Sequence, residues 1–384
     1  MAGELLISAG PGEWRAAWLE DGDAVELYVE RGDTRPAGSR HLGRVVRIAP
    51  ALDAAFVDIG DERPGFLPLR EVPDGAKTEE GAPLIVQVRR EAWQDKAPRL
   101  TATITEPGLA ERAAKLDPPA QLFPPPGLAA SIAMRLPGVP QRIATDEIAI
   151  LAELRGAFSS TEIGHGAASD WPVDLDALFE AALSPRLALS RGGTVHIEET
   201  HAATMIDVDT GTPATGSAAR AALGANRAAA RLIARELRLR NIGGAVVIDF
   251  VGLDRRGERE QVRQALETAL APDPMKPQLL GWTRLGHIEL MRPRRARSLA
   301  DAMLEPGSRV KRPIVLAHEA VRRVLREARA NPAASWRLTA SREVAAALRG
   351  PAAAALRSLE ERLGRRITLT TRSGDSGSFD VSPL

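Results

Sequence analysis

Between residues 194 and 291 the sequence switches repeatedly between two hydrophobic periods, and this switching limits the possible folds more than any other feature. The runs 194–198 and 203–209 alternate apolar and polar residues with the period of a half-buried strand, and together they read as a β-hairpin. From about 217 to 240 the period becomes helical, and Gly243-Gly244 stops it as a C-cap glycine would. Residues 245–251 are then almost continuously apolar, at the length of a buried strand. A helix at about 257–270 and strand-like runs at 278–283 and 287–291 follow. Strands alternating with helices predict an α/β layer.

The flanks carry a different pattern. Residues 4–8, 14–18 and 25–29 are short β-like runs. Five more, at 43–48, 54–60, 65–67, 84–88 and 99–103, are packed into fewer than 70 residues, which suits a small closed barrel, an OB fold first among the candidates. Pro118, Pro119 and the triplet 124–126 make 106–127 a connector, because proline continues neither a helix nor a central strand. Short amphipathic helices are predicted at 146–155 and 174–183. After a loop at 305–313 a last α/β unit is expected, with helices at 314–329 and 341–363 and strands near 336–339, 366–371 and 378–381. A chain of 384 residues suffices for two or three such domains.

Composition removes several chemistries. The absence of cysteine excludes disulfides, thiolate zinc sites and cysteine nucleophiles. No stretch approaches the ~20 apolar residues of a membrane span, and no basic segment precedes a long apolar run at the start. No membrane partner and a cytoplasmic location are therefore expected. A net charge of +1 gives no bulk basic footprint, although 46 of the 51 basic residues are arginines, whose planar fork suits phosphate. A GC-rich genome would also raise arginine. The six histidines (41, 165, 196, 201, 287 and 318) are scattered without metal-ligand spacing, so no alternative site is expected from them; His196 and His201 read as surface residues. The paired glycines 192–193 and 243–244 lack the Lys-Ser/Thr of a phosphate loop.

Three carboxylates stand out. Asp207 and Asp209 are two apart on a predicted strand and so share a face. Asp249 interrupts a Val/Ile/Phe strand, where burying a carboxylate is costly unless it is paired or binds a cation. If the two strands are neighbours, the three would converge and need Mg²⁺ or Mn²⁺ between them, a site able to orient a phosphodiester and activate water. The other reading makes Asp207 and Asp209 the start of a turn, Asp-Thr-Gly-Thr-Pro, with Asp249 a cap or salt-bridge partner.

Three motifs, in this order and spacing, resemble the ribonuclease E/G family: Met205-Ile206-Asp207-Val208-Asp209-Thr210-Gly211; Asn226 followed by residues 233–244, Ile-Ala-Arg-Glu-Leu-Arg-Leu-Arg-Asn-Ile-Gly-Gly; and Val247-Ile248-Asp249-Phe250. The resemblance implies that Asp207 and Asp249 coordinate the catalytic Mg²⁺. It also implies that Arg284 stabilises charge on phosphate and that RNA meets Phe56, Phe66, Lys96, Asn226, Arg292 and Arg294, the last two on a basic edge that continues through Arg295 and Arg297. Its fold class would be multidomain α/β: an RNase H-like/DNase I-like catalytic core, an inserted OB-fold barrel and a small C-terminal α/β domain. The expected divisions are 1–37 (core strands), 38–105 (OB-fold RNA-binding domain), 106–190 (connector and shortened RNase H-like region), 191–304 (metal-dependent catalytic domain) and 305–384 (small domain).

The expected activity is endonucleolytic hydrolysis of single-stranded RNA by water, leaving 5′-phosphate and 3′-hydroxyl ends. The alternative is a catalytically inactive RNA-binding protein on the same scaffold. Three departures from the family pattern shape the expectations. Asp209 stands where the family has Asn, adding a negative charge to the site. Residues 304–313 replace the family's Cys-x-x-Cys zinc link, so no zinc is expected and any homodimer would form without a zinc bridge. The segment ahead of the hairpin is short, so recognition of a 5′-monophosphate is not expected.

Overall fold

The computed structural model describes the chain apart from residues 1–2, 32–37, 62, 74, 77, 93–96, 105–107, 124–126, 191, 212–217, 254, 295, 306 and 373–376. It forms two compact units. One comprises Met1–Arg31, Ile132–Arg294 and Ser298–Leu384; the other comprises Gly32–Ser131 with Arg295–Arg297.

The first unit opens with an antiparallel meander, β1 (Gly3–Gly10), β2 (Glu13–Glu20) and β3 (Asp23–Arg31). β1 and β2 are buried on both faces, and charged residues lie among the apolar ones. The Glu13 carboxylate accepts from Arg15 Nε and Arg31 Nε, both at 2.8 Å. Burial pushes that carboxyl up, but Arg15, Arg31 and Arg322 outweigh it and hold the pKa down at about 2. A buried charge is tolerable only with such partners.

The chain then builds the second unit. Its strands are β4 (Arg40–Ala49), β5 (Ala54–Asp58), β6 (Gly65–Pro68), β7 (Pro83–Arg90) and β8 (Arg99–Thr101), and the pairings β4–β5–β6–β8–β7–β4 close a five-stranded barrel. Closure removes most of the free edge of these strands, the first half of β4 excepted. Val45, Val57, Leu67, Val86 and Leu100 fill the interior. At Gly43 and Gly65 an added Cβ would overlap the side chains of Val57 and Leu100, so glycine permits the strands' close approach. The segment from 106, expected as a connector, carries a short helix α1 (Leu109–Ala113) and a strand β9 (Ala120–Gln121) that pairs with β4. Helix α2 (Leu128–Ala133) follows.

Back in the first unit, β10 (Arg142–Thr145) pairs in parallel with β1, and after α3 (Leu151–Ala157) β11 (Glu162–His165) pairs with β10. Helix α4 (Leu175–Leu183) begins at Asp174, whose side chain accepts from Ala177 N–H at 3.1 Å, a helix N-cap. A second sheet contains β12 (Arg186–Ala188), β13 (Thr194–Glu199), β14 (Thr204–Asp209), helix α5 (Ala218–Leu239), β15 (Gly244–Asp249), helix α6 (Arg256–Leu270), β16 (Gln278–Trp282) and β17 (Ile288–Arg292). Its strand order is β12-β13-β14-β15-β17-β16, with β14 and β15 parallel and α5 as their crossover. The end of α5 is clamped by its own arginines: Arg238 bonds to Glu20 and Glu26, and Arg240 to Glu236 and the Ser184 carbonyl.

Helix α7 (Leu299–Met303) leads to the C-terminal layer: α8 (Pro313–Ala330), β18 (Trp336–Ala340), α9 (Arg342–Arg349), α10 (Ala353–Leu363), β19 (Thr368–Thr371) and β20 (Phe379–Pro383), the strands in the order β19-β18-β20. Mixed α/β architecture with a closed barrel therefore describes the molecule. Among the described residues no helix is long and apolar enough to cross a membrane.

Candidate functional site

The alternation read in the central block sorts that sheet into two faces. Val195, Ile197, Ile206, Val208, Val246, Ile248, Ile288 and Leu290 are buried in one core with residues of α5 and α6. The intervening residues project from the opposite face, where Met205, Asp207, Asp209, Asp249, Glu289 and Met291 are exposed. Across this face the register sets His196 on β13 opposite Asp207 on β14, and Asp207 beside Asp249 on β15. His287, immediately before β17, brings Nε2 to 3.6 Å from Asp249 Oδ2.

Asp207 and Asp249 are thus side by side on adjacent strands, which are spaced about 4.8 Å apart. Asp249 ends its strand with a side chain 56% exposed, so the burial cost expected from its apolar neighbours does not arise. The strand is apolar because its other residues pack against the helices or its neighbours, whereas Asp249 faces outward. Among the described residues no arginine or lysine forms an ion pair with either carboxylate. Asp209 lies beyond the end of the β14–β15 ladder, and its Oδ1 accepts from Gly211 N–H at 2.9 Å. For this residue the turn-forming reading describes the geometry, and the expected convergence of three carboxylates reduces to an adjoining pair. Among the described residues no group of three or more His, Asp or Glu could hold a metal ion by itself. Two adjacent, solvent-facing carboxylates fit a hard divalent cation that retains several waters.

Arg284 is exposed at the β16–β17 turn. The other arginines expected at an RNA edge are differently employed. Arg292 is buried, bonded to Asp273 at 2.7 Å and to the Ile242 carbonyl at 3.0 Å. Arg294 directs its guanidinium onto the Gly243 carbonyl. Alternation along β17 turns Arg292 inward with Ile288 and Leu290, so a charged residue at the strand end joins the core through Asp273. Asn226 is also not a surface contact. Fully buried on α5, it donates Nδ2 to the Val251 carbonyl at 2.8 Å and accepts from Val251 N–H at 3.0 Å, fixing the chain two residues past Asp249.

On the barrel, Phe56 and Phe66 are directly paired across β5 and β6 and half-buried, while their neighbours Ala55, Val57 and Leu67 fill the interior. Their rings meet edge to face with centroids 5.9 Å apart, and the Arg47 guanidinium lies 4.5 Å over Phe56. The two rings are therefore outward-facing rather than core. Lys96 lies outside the described residues. Sequence reasoning passed over Arg47 and His287, because only strand register brings them to Phe56 and Asp249.

Residues 172–295, which include the whole Asp207–Asp249 sheet, match the family model for the ribonuclease E/G family. The similarity extends further along the chain. It is 29% identical over 379 residues to ribonuclease E of Nostoc sp., covering 74% of this chain and 55% of that protein. It is 27% identical over 427 residues to ribonuclease G of Haemophilus influenzae, covering 84% and 87%. It is 25% identical over 472 residues to ribonuclease G of Escherichia coli, covering 96% of each. The chain is similar to the ribonuclease E/G family in its central block and, at lower identity, along most of its length. It spans about half the length of the ribonuclease E relatives. The alignment to the Escherichia coli ribonuclease G is longer than the chain itself, so the chain carries deletions relative to that protein.

Proposed function

We propose that the protein is an endoribonuclease acting on single-stranded RNA in RNA processing or decay, with Asp207 and Asp249 as its metal-binding pair. The observation that carries this reading is the pairing itself: two outward carboxylates in register on parallel strands, without an arginine or lysine partner among the described residues. Like charges this close repel, and a divalent cation between them offsets the repulsion. When bound, Mg²⁺ or Mn²⁺ supplies a polarised phosphate oxygen and water of lowered pKa. The chain's own residues supply the rest. Asn226 and the β14–β15 ladder hold the two carboxylates rigidly, and exposed Arg284 receives charge that develops on the phosphate. On the barrel, Phe56 and Phe66 accept stacked bases irrespective of sequence. The products are 5′-phosphate and 3′-hydroxyl ends. An RNase H-like/DNase I-like core, with its RNase H-like region shortened at 106–190, and a zinc-free homodimer belong to the same proposal.

The test is cleavage of a short, labelled, A/U-rich single-stranded RNA in Mg²⁺, in Mn²⁺ and in EDTA, with wild type and Asp249→Asn compared. Internal cuts that need the metal and vanish in the variant, while RNA binding persists, are expected. Equal rates on 5′-monophosphate and 5′-hydroxyl substrates are expected as well. Binding without cutting in any metal would leave an RNA-binding protein as the better description.

A further inference from the structure

The two carboxylates lie in a row of four side chains that crosses the exposed face, with an imidazole at each end: His196, Asp207, Asp249 and His287. The two histidines are differently placed. His196 turns Nε2 to Glu198 Oε1 at 3.1 Å, where Arg309 also donates to that oxygen, so it is occupied away from Asp207. His287 faces Asp249, Nε2 to Oδ2 at 3.6 Å, and its ring is more enclosed than the carboxylate it faces, 27% against 56% exposed.

The backbone fixes where this ring can be. Thr283 N–H donates to the His287 carbonyl at 2.8 Å, Gly286 N–H to the Thr283 carbonyl at 3.1 Å, and His287 N–H to Thr283 Oγ1 at 3.2 Å. Gly286 sits at φ +92°, the left-handed conformation this tight turn needs. Ile288, the next residue, is fully buried opposite Ile248. None of these contacts uses the imidazole, so the ring is held at Asp249 without being needed to hold the turn.

We propose that His287 is a positioning residue for Asp249: its Nε2, 3.6 Å from Oδ2 and just outside hydrogen-bond reach, closes to donate to that oxygen when the cation is held with Asp207, leaving the other carboxylate oxygen to face the cation. The proposal rests on the reading of Asp207 and Asp249 as the metal pair. An N–H donor suits this position because it orients a carboxylate without the fixed charge of a guanidinium, which would compete with the cation. Partners of this kind, behind the ligands themselves, set both geometry and affinity at metal sites.

The experiment uses the full chain. Mn²⁺ binding is titrated by electron paramagnetic resonance of the free ion in wild type, His287→Ala, His287→Gln and Asp249→Asn, and kcat and KM for a short single-stranded RNA are measured across Mn²⁺ concentrations. His287→Ala is expected to weaken Mn²⁺ binding about 10- to 100-fold, while His287→Gln, which retains a side-chain N–H donor, stays within about threefold of wild type. In His287→Ala, kcat should fall at low Mn²⁺ and recover at high Mn²⁺, with KM for RNA unchanged. Wild-type Mn²⁺ affinity in His287→Ala would overturn the proposal. Equal losses in the Ala and Gln variants would also overturn it, since the imidazole would then be a ligand itself. Asp249→Asn separates the two levels: unaltered Mn²⁺ binding in that variant means the aspartate pair is not the metal site, whatever His287 does.

Discussion

Asn226 is the residue whose expected and observed roles differ most, and its replacement by alanine separates them. Two hydrogen bonds to Val251, at 2.8 and 3.0 Å, would be lost. Each is worth about 1 kcal/mol net, and each partner left unpaired adds about 1–3 kcal/mol unless water reaches it. Val251 is half-buried, so hydration recovers part of this, and the sum is roughly 2–4 kcal/mol. Urea unfolding followed by tryptophan fluorescence measures it, because five of the six tryptophans (14, 18, 171, 282 and 336) belong to the unit that contains Asn226. With a urea dependence of about 2–3 kcal/mol per molar, the midpoint of that unit drops by roughly 1 M.

Asn226→Asp sharpens the test. A carboxylate there can still accept from Val251 N–H but faces the Val251 carbonyl with no hydrogen to donate. Burial raises its folded-state pKa above the unfolded value, since only the protonated form can donate to that carbonyl. This variant is therefore most stable relative to wild type below its unfolded pKa and loses that stability as pH rises through the folded one. An unchanged urea midpoint in Asn226→Ala, together with a selective loss of RNA affinity, would refute the positioning role and restore the RNA contact read from sequence.

The aromatic pair and the buried carboxylate give two further tests. Phe56→Ala and Phe66→Ala should each weaken binding of a short single-stranded RNA by about 1–3 kcal/mol, similarly for poly(U) and poly(A); barrel unfolding with no change in affinity per folded molecule would instead make them structural. Glu13 has a folded pKa of about 2 against 4.5 for the free group. Because the folded value is the lower one, the stabilisation, roughly 3 kcal/mol, is fully present above pH 4.5 and is lost as pH falls towards 2. Urea unfolding at stepped pH should show that loss, and Glu13→Gln should remove this part of the slope.

Hydrophobic period and punctuation make most of the central sheet legible in the sequence. The hairpin, the long helix ending before Gly243-Gly244 and the apolar strand all fall within a few residues of β13, β14, α5 and β15. Strands β10 and β12 were not legible: four and three residues are too few to establish a period. The direction a polar side chain takes was the least accessible property. Arg292 and Asn226 look like ligand contacts in a linear string, yet one closes a buried ion pair and the other caps a backbone. Asp249 looked buried because its neighbours are, whereas its place at the strand end, on the face opposite the α5 and α6 core, exposes it. The partnership of His287 with Asp249 spans 38 positions of sequence and exists only through β15–β17 pairing.

The barrel interrupts its host between Arg31 and Ile132, and this has a consequence for the order of events on the ribosome. Glu4 to Ile7 of β1 pair with Arg142 to Thr145 of β10. At a synthesis rate of about 5–20 residues per second, roughly 7–28 seconds pass between the emergence of one partner and the other. Through that interval Leu5 and Ile7, fully buried at the end, sit on an open strand edge of the kind that recruits other chains. The barrel, contiguous in sequence, can close while its host waits. Nascent chains stalled when the emerged part ends between residues 105 and 140 should therefore be the most chaperone-dependent, already holding a finished module and an unfinished sheet.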